Sequence, residues 1–178
     1  MGCKYTNAIT ASANCDSYKV PGVAALYLIN EEDLSGTTAQ AIAQDSIGTV
    51  TGMTLISGAT PIGVAFAEDS AFFTASEQVN GGTRNFAHSV TFGVVANTQD
   101  ILFALKEIGI GRFLCLIQTN DESWRLLGTD SKRLRASSLE DLSGQAAGDD
   151  VSTVVVIDGI SKQLPPFVDA AVITSLGL

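Results

Sequence analysis

The sequence predicts a mainly β fold of the α+β kind: an antiparallel β-sandwich or barrel with one packed α-helix and one long hairpin. Three observations predict it. Two segments of period-two alternation, Ala71–Asn80 and Thr83–Ala96, flank the pair Gly81-Gly82, and two glycines together suit the positive φ values of a two-residue type I′ turn. Further short apolar runs are separated by turn residues along most of the chain, as the strands of an antiparallel domain are. Helical spacing with a cap occurs convincingly in one place, Thr98–Ile108.

The hairpin organises the rest. With Gly81-Gly82 as its loop, Asn80 faces Thr83, and the ladder then pairs Val79 with Arg84, Glu77 with Phe86, Ala75 with His88 and Phe73 with Val90. Side chains alternate across a strand, so the pairs from Val79 and Arg84 to Phe73 and Val90 share one face, and Asn80 and Thr83 lie on the other. The other face carries Thr74, Ser76 and Gln78 opposite Ser89, Ala87 and Asn85, with Thr91 beyond. A slip of one residue would put Phe73, Phe86, Val90 and Phe92 in water, which fixes the register. The polar face has no Lys or Glu, although an ordinary solvated sheet face usually does. Two readings follow: a plain sheet with one wet face, or a hairpin that lines something.

The other elements follow in order. Residues 1–20 are small, polar and without period and read as an N-terminal arm. Pro21-Gly22 opens a strand, Val23–Ile29, which the acidic turn Asn30–Asp33 ends. Ser35–Gln44 fits a short helix or a loop, Val50–Ser57 reads as a strand, and Gly63–Ala67 leads into the hairpin. Asn97 or Thr98 caps the helix, Asp100 sits in its first turn, Ile101, Leu105 and Ile108 form its apolar stripe, and Gly109 closes it. That stripe should pack on the apolar hairpin face. Arg112–Thr119 and Ser123–Thr129 form a second hairpin about Asn120-Asp121-Glu122. Lys132–Leu142 and Val151–Ile157 are strands joined by the loop SGQAAGDD, and Lys162–Leu178 is an extended tail that packs on a neighbour or on the domain's edge. The main β domain thus spans 21–160, with the C-terminal segment at 161–178.

Composition excludes several functions. The 178 residues suffice for one domain that buries roughly 70% of its unfolded surface. Charged residues make up 16% of the chain, against about 25% in ordinary soluble domains; with a mean hydropathy of +0.26 this suggests an assembled subunit whose surface meets neighbours. A net charge of −9 argues against a grip on nucleic acid, which needs cations to displace counterions. Lys132-Arg133-Leu134-Arg135 is too short to reverse that and reads as an exposed strand or subunit contact. Cys3, Cys15 and Cys115 lack the spacing of a disulfide framework or zinc site. The start Met1–Thr6 matches a myristoylation pattern, which is short and matches by chance often. No run of 18 apolar residues exists to span a bilayer.

A search for chemistry finds no constellation. His88, the one histidine, lies mid-strand on the apolar face and reads as a hydrogen-bonded structural residue. Gly109-Ile110-Gly111 lacks the third glycine of a dinucleotide fingerprint, and no GxSxG elbow occurs. Glu140, Asp141, Asp149 and Asp150 do not follow calcium-loop spacing, and Cys115 sits in the core run Phe113–Ile117. The expectation is a protein without enzymatic activity, metal or cofactor.

The order of these pieces resembles the tail tube (major tail) proteins of tailed bacteriophages. The long hairpin Phe72–Val95, the helix Thr98–Ile108, the hairpin Arg112–Thr129 with Trp124 and Gly128, and the loop Ser143–Asp149 before Val151–Ile157 carry the resemblance over roughly residues 20–160. It implies stacked, hexameric rings in which each subunit donates its hairpin to a closed inner barrel. Thr74, Ser76, Gln78, Asn85, Ala87, Ser89 and Thr91 would then line a channel, with Gly81 and Gly82 at the turn. The implied partners are further copies of the chain, other tail or connector proteins of the virion, and DNA that passes through without specific binding; no membrane is involved. A capsid decoration, head-to-tail connector or tail terminator protein is the nearest alternative. A small monomeric β domain that binds or catalyses at a pocket near His88 is the alternative of another class.

Overall fold

The computed structural model describes residues 22–67, 69–80, 82–95, 98–129, 133–142 and 152–178. The expected arm, Cys3 and Cys15, Gly81, Asn97, Lys132 and the SGQAAGDD loop lie outside them.

The chain is mainly β, as expected, and antiparallel. One four-stranded sheet runs in the order β4 (Ile62–Gly63), β1 (Val23–Asn30), β7 (Phe113–Thr119), β8 (Trp124–Leu127). A second runs β5 (Phe72–Asn80), β6 (Thr83–Val94), β10 (Ser152–Ser161), β9 (Arg135–Leu142). A small ribbon pairs β2 (Ile42–Gln44) with β3 (Val50–Met53). Among the described residues three α-helices accompany them: α1 (Thr38–Ala41), α2 (Gln99–Ile110) and α3 (Ala170–Ser175).

The hairpin register is the one the alternation predicts, from Asn80 opposite Thr83 through Ala75 opposite His88 to Phe73 opposite Val90. At the turn Gly82 has a φ of +85°, which any side chain would strain.

The two four-stranded sheets pack face to face. Leu26, Leu28, Cys115, Ile117 and Leu127 of the first meet Val90, Phe92, Val155 and Ile157 of the second, with Leu105 of α2 closing one side. A second core lies on the opposite face of the first sheet, where Ile29, Leu114, Leu116 and Leu126 bury against Leu34, Ala41, Ile42, Val50, Met53 and the C-terminal Val168, Val172 and Ile173. A strand covered on both faces needs no polar alternation, which explains the unbroken run Phe113–Ile117. Burial pushes the Cys115 thiol far above its ordinary range, so it packs as a small apolar group.

Helix α2 is capped as its sequence suggests, the Thr98 hydroxyl accepting from the Ile101 amide, and its stripe Ile101, Leu105 and Ile108 joins the core between the sheets, but its main strand neighbour is β9 and not the hairpin on which the stripe was expected to pack. Several boundaries differ from expectation. Gly109 lies inside the helix, whose cap is Gly111 at a φ of −74°; no left-handed residue is needed there, so Gly109 carried no stop signal. Ser35–Gln44 resolves into α1 followed by β2, and the strand from Val50 ends at Met53. The tail is extended only at first. Its Pro166 carbonyl accepts from the Leu126 amide and its Val168 amide donates to the Trp124 carbonyl, adding it to the edge of β8. The Asp169 carboxylate then caps α3.

Arg133 is the clearest reversal. Expected in an exposed basic cluster, it is buried, its guanidinium donating to the Gly128 carbonyl at 2.7 Å and lying 3.7 Å from Glu31. It sits where the chain crosses between the sheets, next to Leu134, which exchanges backbone hydrogen bonds with Phe113. Gly159 permits that crossing: a Cβ there would stand 2.5 Å from Leu134 Cδ2 and 3.2 Å from its Cα. Replacing Gly159 with Ala should cost about 1–3 kcal/mol through overpacking, read as a shift of the denaturant midpoint with an unchanged slope. A neutral result would show that Leu134 has room to retreat.

Candidate functional site

Among the described residues the first sheet is covered on both faces, and the outer face of the second is the broad sheet face left open to solvent. All seven hairpin residues singled out in the sequence lie on it. Thr74, Ser76 and Gln78 on β5 are exposed, while Asn85, Ala87, Ser89 and Thr91 on β6 are half-buried beneath their neighbours. Their partners across the ladder, Ser89 for Thr74, Ala87 for Ser76 and Asn85 for Gln78, put small groups side by side over both strands. The opposite face behaves as expected near the hairpin base, where Val90 and Phe92 are buried, but Phe86 is only half-buried and Val79 is 61% exposed. The hairpin therefore outruns the core.

Sequence reasoning missed the width of this face. Strand β10 lies beside β6 and brings Val154, Val156, Asp158 and Ile160 opposite Gly93, Thr91, Ser89 and Ala87. Phe72, opposite Thr91, also belongs to the outer face and is 52% exposed, as Ile160 is at 45%. Parity in the strand could have placed Phe72; nothing local could have placed β10 next to β6. Charge enters only on the far strands. Asp158 accepts a hydrogen bond from the Ser137 hydroxyl at 2.6 Å, Glu140 one from Ser138 at 3.1 Å, and Arg135 stands opposite Asp158 in the ladder. Strands β5 and β9 are the sheet's two edges.

His88 points away from this face. It is 1% exposed, and its Nε2 lies 3.0 Å from the Gln163 carbonyl. Gln163 in turn donates from its side-chain amide to the Thr129 hydroxyl and from its backbone amide to the Ser161 hydroxyl. The imidazole thus pins the hairpin to the chain that leaves β10, and a buried polar group so held rigidifies its surroundings. The clefts lined by Ala24–Tyr27 with Gly63–Phe66, by Asn30–Asp33 with Ile110–Arg112, and between α2 and β4 do not include His88. Glu140 and Asp141 alternate along β9, so their side chains diverge, and Asp149 and Asp150 lie outside the described residues. No group of three or more metal-ligating side chains occurs among the described residues.

Comparison of the chain with protein families, curated proteins and solved structures gives no match.

The two faces should answer differently to truncation. Phe92→Ala should cost about 3–5 kcal/mol as a buried aromatic deletion, and Phe86→Ala, half-buried, nearer 1 kcal/mol from the smaller area lost. Chemical denaturation of the two variants checks this. Equal losses would mean that the hairpin beyond Phe86 is packed in solution.

Proposed function

We propose that the chain is a structural virion protein, the subunit of a phage tail tube, which assembles into stacked, hexameric rings around a channel for DNA. The observation that carries this reading is the outer face of β5 and β6. Over seven positions it offers only Thr, Ser, Gln, Asn and Ala, on a hairpin that extends past its own core. A face exposed to water as a convex surface tolerates Lys and Glu and benefits from their solubility. A face turned toward a narrow channel gains from their absence, since a fixed cation repeated around a ring would hold each phosphate that passes.

Three further features support it. Among the described residues β5 and β9 each pair with a strand on one side only, and joining β5 of one subunit to β9 of the next would close the sheet and remove both edges. The low charge content leaves surface suited to neighbours. The buried His88 serves to hold the hairpin, a structural role that requires no turnover. The partners in this reading are further copies of the chain, tail or connector proteins at the tube's ends, and DNA in transit. A single-ring connector or terminator would share the sheet but would not stack.

Ser89→Arg separates a channel lining from a buried face. The side chain projects from the open face, so the variant should fold with a melting temperature within a few degrees of the parent and should still assemble. Its tubes should retain added double-stranded DNA at low salt and release it as salt rises, because the new guanidinium groups pair with phosphates. Parent tubes should retain none. Loss of folding in Ser89→Arg comparable to that in Phe92→Ala would contradict the assignment.

A further inference from the structure

The hairpin and the helix that follows it leave complementary features at opposite ends of the hairpin. At the base, α2 and β4 bound an open cleft of about 460 Å3 lined by Leu28, Ile62, Val94, Ile101, Leu105 and Glu107, among others. Its walls are apolar apart from Asn30 and the carboxylate of Glu107, and Ile62 on its rim is 51% exposed. Val94 is the last residue of β6, so the cleft belongs to the hairpin's base. The other end lies ten residues away along the same strand, about 30 Å at the usual rise. There Val79 stands 61% exposed opposite Arg84, whose side chain is 75% exposed and 3.2 Å from Glu77.

Each feature lacks what the other has. The tip presents an apolar side chain and a guanidinium on one face of the ladder; the cleft presents an apolar wall and a carboxylate. Arg84 has five N–H donors, enough to keep Glu77 on one side and meet a second carboxylate on another. A knob and a socket at opposite ends of one hairpin form a heterologous contact, which propagates rather than closing as a two-fold dimer.

We propose that the cleft between α2 and β4 receives Val79 and Arg84 from the hairpin of a second copy in the adjoining ring, with Arg84 paired to Glu107. The proposal rests on the tube reading and adds to it the contact by which rings stack. The contact is directional, with every ring offering sockets on one side and knobs on the other.

Disulfide trapping tests it. In a chain carrying Cys3→Ser and Cys15→Ser, with the buried Cys115 left in place, Val79→Cys and Ala104→Cys are introduced together, Ala104 being an exposed residue of the cleft wall. Oxidation of assembled protein should give a ladder of multimers on a non-reducing gel, longer than the subunit count of one ring, and neither single cysteine should give it. Independently, Val79→Asp should raise the concentration needed for stacking by about tenfold or more while its melting temperature stays that of the parent. A ladder that stops at one ring, tubes that form without any cross-link, or a Val79→Asp variant that stacks as the parent does would overturn the inference and leave the tube reading standing. A parent chain that forms no ring or tube would remove both.

Discussion

Everything distinctive in this structure depends on the alternation of side chains across the β5–β6 hairpin. Val90 and Phe92 anchor one face in the core between the sheets, and that burial alone decides that Thr74, Ser76, Ser89 and Thr91 look outward. A one-residue slip would drown two large apolar side chains and bury a row of hydroxyls with no partners, a cost of several kcal/mol on either count. The second constraint reinforces the first. His88 stands on the buried side and ties the hairpin to Gln163, while Gly159, directly opposite it in the ladder, leaves space for the crossing chain at Leu134. Register, crossing and hairpin orientation are therefore one arrangement.

Local signals carried much of this fold. The paired glycines and the alternation gave the hairpin to the residue, because register in a tight hairpin is set by its turn and its buried face. Thr98 announced the helix, and Asn120-Asp121-Glu122 announced the turn between β7 and β8. The illegible parts are non-local. Strands β6 and β10 are separated by more than fifty residues, and no short pattern says that they pair. The burial of Arg133 depends on the Gly128 carbonyl and Glu31 arriving from other elements. The final helix did have a signal, Asp169 before Ala170–Ser175, but Pro165-Pro166 just before it made the whole tail read as extended.

The same division applies to the candidate site. The seven small polar residues were legible from parity, whereas their company was not: Val154, Val156, Phe72 and Ile160 make the outer face partly apolar. A surface of mixed small polar and apolar groups is neither a ligand pocket nor an ordinary wet face. On β5 and β6 it presents no cation, and the one that stands on this face, Arg135 of β9, lies opposite Asp158. The covered first sheet matters here as well, since among the described residues burying both of its faces leaves the second sheet with the open one.

The most direct measurement is electron microscopy of the purified chain with reconstruction of whatever it forms. The account predicts rings or tubes in which β5 of one subunit lies beside β9 of the next and Thr74, Ser76 and Ser89 face a central channel. A compact monomer at all concentrations, or a ring with this face turned outward, would contradict it.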